Sequence, residues 1–153
     1  YSEDGEMLTL LDKTKKNIIL EYCSERFGIN GNEFTDYKWY NGSKNRIYIG
    51  PEKIERINPE SIGLCIFRLD KTPKPTTNFI QLFGGKIKKN IVELDKKNTM
   101  AFCNGLNLEI KTNNEPGFVS VNYNQIALGC GHWNGKILKN QIPKSKFCKI
   151  NFL

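Results

Sequence analysis

The 153-residue chain holds one histidine, His132. That excludes a histidine-based catalytic triad and a metal site built on imidazoles, so neither a metal nor a cofactor is expected. Five cysteines, at 23, 65, 103, 130 and 148, include no C-x-x-C pair, which argues against a zinc ribbon or a thioredoxin-like centre. Cys65 lies between Leu64 and Ile66, and Cys103 follows Phe102. They read as small core residues of a protein kept in a reducing cytosol. No apolar run approaches the roughly 20 residues of a membrane span. The opening YSEDGE is acidic where a secretory leader would be basic. A start at Tyr1 rather than methionine reads as a piece of something longer. Acidic residues also run out: from Gly117 to Leu153 there are five lysines and no aspartate or glutamate.

What is present is an ordinary globular composition, 39% hydrophobic and 25% charged. The length suits one domain or two small ones. The net charge of +7 is unevenly placed. Residues 1–80 carry twelve basic and twelve acidic side chains, whereas residues 81–153 carry eleven and four. A neutral half followed by a basic half implies two functions, the second facing a polyanion. A solvated, lysine-rich surface is the alternative.

In chain order, a helix is expected from Asp12, its N-cap, to Phe27, with Gly28 ending it. Tyr37–Tyr40 and Arg46–Ile49 flank an Asn-Gly loop and read as a hairpin. Pro51 to Ile57 suits a short helix, and Gly63 to Leu69 a central strand. Asp70 to Asn78, with its prolines and threonines, supports neither helix interior nor central strand, and marks the boundary between units 1–78 and 79–153. Beyond it come a short helix at 79–83, the basic patch Lys86–Asn90 and a strand at Ile91–Leu94. A helix capped by Asp95 then ends at Gly105, with a strand at Leu106–Ile110 after it. Phe118 to Tyr123 and Ile126 onward form a strand pair, and Phe147 to Phe152 a final strand. These elements indicate an α+β protein: a small N-terminal α/β unit, then a compact mixed β-barrel with two short helices.

Within the second unit, NIVELD, a short helix and NGLNLEI resemble the first half of a PUA domain. GFVSVNYNQIALGCGHWNGKILKNQIPKSKF resembles the second half. The pattern is similar to the C-terminal region of Sun-family RNA 5-methylcytosine methyltransferases, where a small α/β segment precedes the PUA domain. Leu128-Gly129-Cys130-Gly131, the run from Asn134 to Asn140, and Pro143-Lys144 carry it. PUA-containing ribosome-biogenesis factors share the layout more loosely. The resemblance extends over residues 63–153. It departs at Asn104 and Asn107, which stand where a charged pair is usual, and in a basic turn with lysine in place of arginine. Lysine gives point charge without bidentate geometry.

The resemblance implies structured RNA, tRNA or rRNA, held in a groove between the first small helix and the barrel. Lys86, Lys88, Lys89 and Asn90 would form one side, and Lys136, Lys139, Asn140, Lys144 and Lys146 the other. Gly84-Gly85 would let the RNA backbone approach main-chain amides, and His132 and Trp133 would stack on an unpaired base. The alternative places Trp133 in the barrel and His132 in a turn. Catalysis on this chain is not expected. Gly129-x-Gly131-x-x-x-Gly135 leads into KILKNQIPK rather than the helix a nucleotide loop requires. No cysteine follows the proline or threonine that precedes the Sun-family catalytic cysteines. A third class is a protein-interaction module, its neutral half docking a methyltransferase or ribosome-assembly partner through Trp39, Tyr40 and Tyr48. The expected setting is cytoplasmic, or nucleolar in a eukaryote, with no membrane.

Overall fold

The computed structural model describes residues 8–51 and 64–146. The expected helix at 51–57 and the final strand at 147–152 fall mostly or wholly outside these. Among the described residues, no helix is long and apolar enough to cross a membrane.

Helix α1 (Lys13–Tyr22) starts where Asp12 accepts a hydrogen bond from the Lys15 amide, 2.8 Å. It continues as a π-helical turn, Cys23–Phe27, which Gly28 closes at φ 68°. Strands β1 (Thr9–Leu10), β2 (Tyr37–Asn41), β3 (Arg46–Pro51), β4 (Leu64–Leu69) and β5 (Pro73–Pro75) form an antiparallel sheet in that order. The expected hairpin is β2–β3, and β4 is flanked on both sides. The prolines that barred a central strand permit β5, because it is an edge strand with no outer ladder to complete. Thr76 caps α2 (Thr77–Phe83) by accepting from the Phe79 amide, so the helix starts two residues before the expected Phe79.

The second sheet has the order β6-β8-β9-β10-β7 and curls into a half-barrel. Its strands are β6 (Ile91–Glu93), β7 (Leu108–Glu109), β8 (Gly117–Tyr123), β9 (Ile126–Trp133) and β10 (Ile137–Asn140). Helix α3 (Lys96–Cys103), capped by Asp95, joins β6 to β7. Strand β6 runs parallel to β8 and the other pairs are antiparallel. The mixed α+β architecture is therefore as expected. Strand β10 was not expected: ILKN is too short to show alternation, and it exists because Leu138 pairs with Trp133 and Asn140 with Gly131.

Two cores result. The first gathers Ile19, Phe27, Phe34, Trp39, Ile66 and Phe67 with Phe79, Ile80 and Phe83 of α2. Phe79 is fully buried and its ring lies 4.7–6.5 Å from those of Phe27, Phe34, Phe67 and Phe83. The second fills the half-barrel with Val92, Phe102, Val119, Val121, Trp133 and Leu138. Its tight layer explains the glycine spacing. A Cβ on Gly131 would meet Leu138 Cδ1 at 2.7 Å and Val121 Cγ2 at 2.9 Å, and one on Gly129 would meet Ile142 Cγ1 at 2.7 Å.

Candidate nucleic-acid interface

Helix α2 lies along β9. The Cys130 amide donates to Thr77 Oγ1 (3.1 Å), Gln81 Nε2 donates to the Leu128 carbonyl (2.9 Å), and Gly84 packs on Ala127. Its C-terminal end carries the Gly84–Lys86 turn. Beside its N-terminal end lies the Lys144–Lys146 turn, where Lys146 Nζ donates to Asn78 Oδ1. Seven residues at about 1.5 Å each span roughly 10 Å, so Lys86 and Lys146 sit at the two ends of one short helix. Gly84 serves helix–sheet packing; Gly85 has open space where a Cβ would stand.

The candidate residues divide by what their side chains touch. Lys88, Lys89, Lys136, Lys139 and Lys144 are exposed. Lys86 pairs with Glu33 at 3.2 Å, a solvent-facing contact that a phosphate can displace at little cost. Asn90 and Asn140 are braces. Asn90, at φ 59°, donates through Nδ2 to the Arg26 carbonyl. Asn140 donates to the carbonyls of Phe102 and Leu106 and accepts from the Ile142 amide. Their amides hold the backbone, and what they present to a ligand is the position of neighbouring lysines.

Trp133 corrects the expectation of a stacking platform. It is 3% exposed and its ring belongs to the half-barrel core, so no base can reach its face. His132 points to the opposite side of β9. Its ring meets Phe118 edge-on at 4.9 Å, and it lies opposite Lys139 in register. Desolvation, then the nearby charges of Lys139 and Arg26, hold its pKa below the ordinary value. It is neutral at physiological pH, an aromatic ring between two cations.

Arg26 is the residue that sequence reading missed. It sits on the π-helical turn of the neutral half and reaches the second sheet. Nε donates to the Phe118 carbonyl (2.7 Å) and Nη2 to that of Glu115 (2.9 Å). The guanidinium packs on Gly117, where a Cβ would lie 2.8 Å from Cζ. Burial lowers its pKa, while Tyr22 and Glu115 act in the opposite direction. A lone arginine near a helix end reads as solvent-facing, and nothing in the sequence marks its carbonyl partners 89 and 92 positions away. With it in place, Lys89, Arg26, His132 and Lys139 follow one another across one end of the second sheet.

Among the described residues, no group of three metal-ligating side chains comes together. Residues 89–145 match the family model of the methyltransferase RsmF PUA domain, the PUA region of Sun-family RNA methyltransferases. The match takes in β6 to β10 and α3, starting later than the resemblance seen from residue 63. No curated protein matches the chain. A PUA domain is an RNA-binding module, and not itself a catalytic one.

Proposed function

We propose that this chain docks structured RNA, tRNA or rRNA, for modification or ribosome assembly, and performs no chemistry itself. The observation that carries this reading is the set of exposed lysines, 89, 136, 139 and 144 within the PUA-matched region and Lys88 just before it. Docking is electrostatic and shape-based, because lysines contact phosphates and carry little base information. The division of labour follows composition: residues 1–78 brace and dock, and residues 79–153 bind RNA. Helix α2 completes the first core from within the second unit. A second reading, favoured by the methyltransferase family that the match names, makes the chain the RNA-docking part or accessory of such an enzyme. Its place of work would be the cytoplasm, or the nucleolus in a eukaryote.

Fluorescence anisotropy with a tRNA-like RNA and duplex DNA, from low to physiological salt, tests the reading. With about five phosphates neutralised, log K should fall against log salt with a slope of roughly −3 to −5. Preference for the RNA, weakened by K88A/K89A and K136A/K139A, is the expected result. Equal binding of both nucleic acids, unchanged by those variants, would reduce the site to a basic surface. Binding to neither would refute RNA docking.

A further inference from the structure

Resting on the RNA-docking reading, we propose that the cleft between the π-helical turn and the loop at 113–115 is a pocket for one unpaired guanine. It has a volume of about 460 Å³, within the roughly 300–1,000 Å³ of small-molecule sites, and lies where the two halves meet. Another cleft, of about 520 Å³, is less suitable: it sets Glu93, Asp95 and Glu109 against Lys111, the wrong balance for a polyanion.

The walls of the junction cleft are fixed before any ligand arrives. Asn90 Nδ2 ties β6's approach to the Arg26 carbonyl, and Asn114 Nδ2 donates to the Ile91 carbonyl (2.9 Å) and to Thr112 Oγ1 (2.8 Å). Arg26 holds the loop through the Glu115 carbonyl. Tyr22 is set rigidly by edge-on contacts with Phe27 (5.9 Å) and Phe67 (6.0 Å). A π-helical turn is an uncommon element that recurs at functional sites. Here it follows Tyr22 and carries Glu25 and Arg26, all lining the same cleft.

The lining is polar and unoccupied by its own chain. The side chains of Tyr22, Glu25, Lys89, Asn113 and Glu115 make no hydrogen bond or ion pair among the described residues. Burial raises the Tyr22 pKa, so its hydroxyl stays protonated and can donate. Two carboxylates would repel a bare phosphate. They suit a base edge rich in donors, and guanine presents N1–H and the N2 amine side by side. Its O6 and N7 acceptors would meet donors from Asn113, Lys89 or the Tyr22 hydroxyl. Lys89 and Arg26 offset the charge of the RNA backbone at the same place. Single-stranded positions are where RNA bases become readable in this way.

The experiment uses the full chain and a stem-loop RNA with one unpaired position carrying G, A, C, U or inosine, read by anisotropy. Guanine should bind roughly tenfold tighter than the others, the size of a good bidentate contact. Inosine, which lacks the N2 amine, should lose most of that preference. Glu25→Gln with Glu115→Gln should abolish the preference, so that all five RNAs bind with the same affinity. Lys136→Ala with Lys139→Ala should weaken all five RNAs alike. Equal binding of all five, or a guanine preference that survives the double glutamine variant, overturns the pocket while RNA docking stands. Binding of none overturns both.

Discussion

Arg26 gives the sharpest test of how the two halves hold together. It is the side chain that ties the end of α1's π-helical turn to β8, through two charge-assisted bonds of 2.7 and 2.9 Å to main-chain carbonyls. Such bonds contribute about 1.5–3 kcal/mol each. Arg26 is only partly buried, so the lower end applies. Arg26→Lys keeps the charge but can remake at most one bond, and should cost about 1.5 kcal/mol; Arg26→Ala removes both and should cost about 3 kcal/mol. Urea denaturation measures the loss. The two tryptophans localise it, because Trp39 lies in the first core and Trp133 in the second. In single-tryptophan variants, W133F reporting on the first core and W39F on the second, the parent should unfold in one transition by both probes. With Arg26→Ala added, the two midpoints should move apart, since one of the ties between the cores is gone and those of α2 to β9 remain. Arg26→Ala within about 0.5 kcal/mol of the parent, the range of an ordinary surface change, would refute this account of the clamp.

Three further outcomes are expected. Gly131→Ala places a methyl group against Leu138 and Val121 in a filled layer and should destabilise by about 1–3 kcal/mol in thermal or urea unfolding. Asn140→Ala removes bonds to Phe102, Leu106 and Ile142, and should cost about 1–3 kcal/mol; any fall in RNA affinity should vanish at a temperature where the variant is fully folded. His132 has a folded-state pKa below its unfolded value of about 6.5, so the unfolded chain takes up the proton first. Its contribution to stability is therefore level above pH 7, falls as pH drops through 6.5 towards the folded pKa, and levels again below it. Urea midpoints from pH 7.5 to 5 should show that fall, and His132→Gln should flatten it.

The parts of this fold that were legible in the sequence are those set by neighbours a few residues apart. Asp12 and Asp95 cap helices by bonding amides three positions on, and Gly28 and Gly105 end them because their backbones turn to positive φ. The hairpin β2–β3 and the pair β8–β9 follow from period-two alternation between turn residues. Trp133 was legible too, by a signal passed over. Gly129 and Gly131 share its face of β9, and their lack of side chains leaves room for Ile142 and Leu138. A face that must be emptied to admit neighbours is an interior face, so a tryptophan two residues further along belongs to the core. By contrast, Asn90 and Asn140 find their acceptors 64 and 38 positions away. An asparagine beside a lysine looks the same in sequence whether it meets a ligand or a carbonyl.

Net charge draws attention to the second half and gives an incomplete picture of the first. Summation over residues 1–80 gives zero, which hides where individual charges go. One of those charges, Arg26, crosses to the second sheet. It joins Lys89, His132 and Lys139, while Tyr22 and Glu25 line the cleft beside it. The proposed RNA-binding surface is therefore composite: the basic unit supplies attraction, and the neutral unit supplies rigid aromatic and acceptor groups at the junction. The packing requires the same dependence. Removing residues before 79 would strip Phe79, Ile80 and Phe83 of the rings that bury them and expose the back of β9 at Cys130. The basic unit is thus held in shape by the neutral one, and base selectivity should disappear from any variant that loosens their junction even when every lysine is kept.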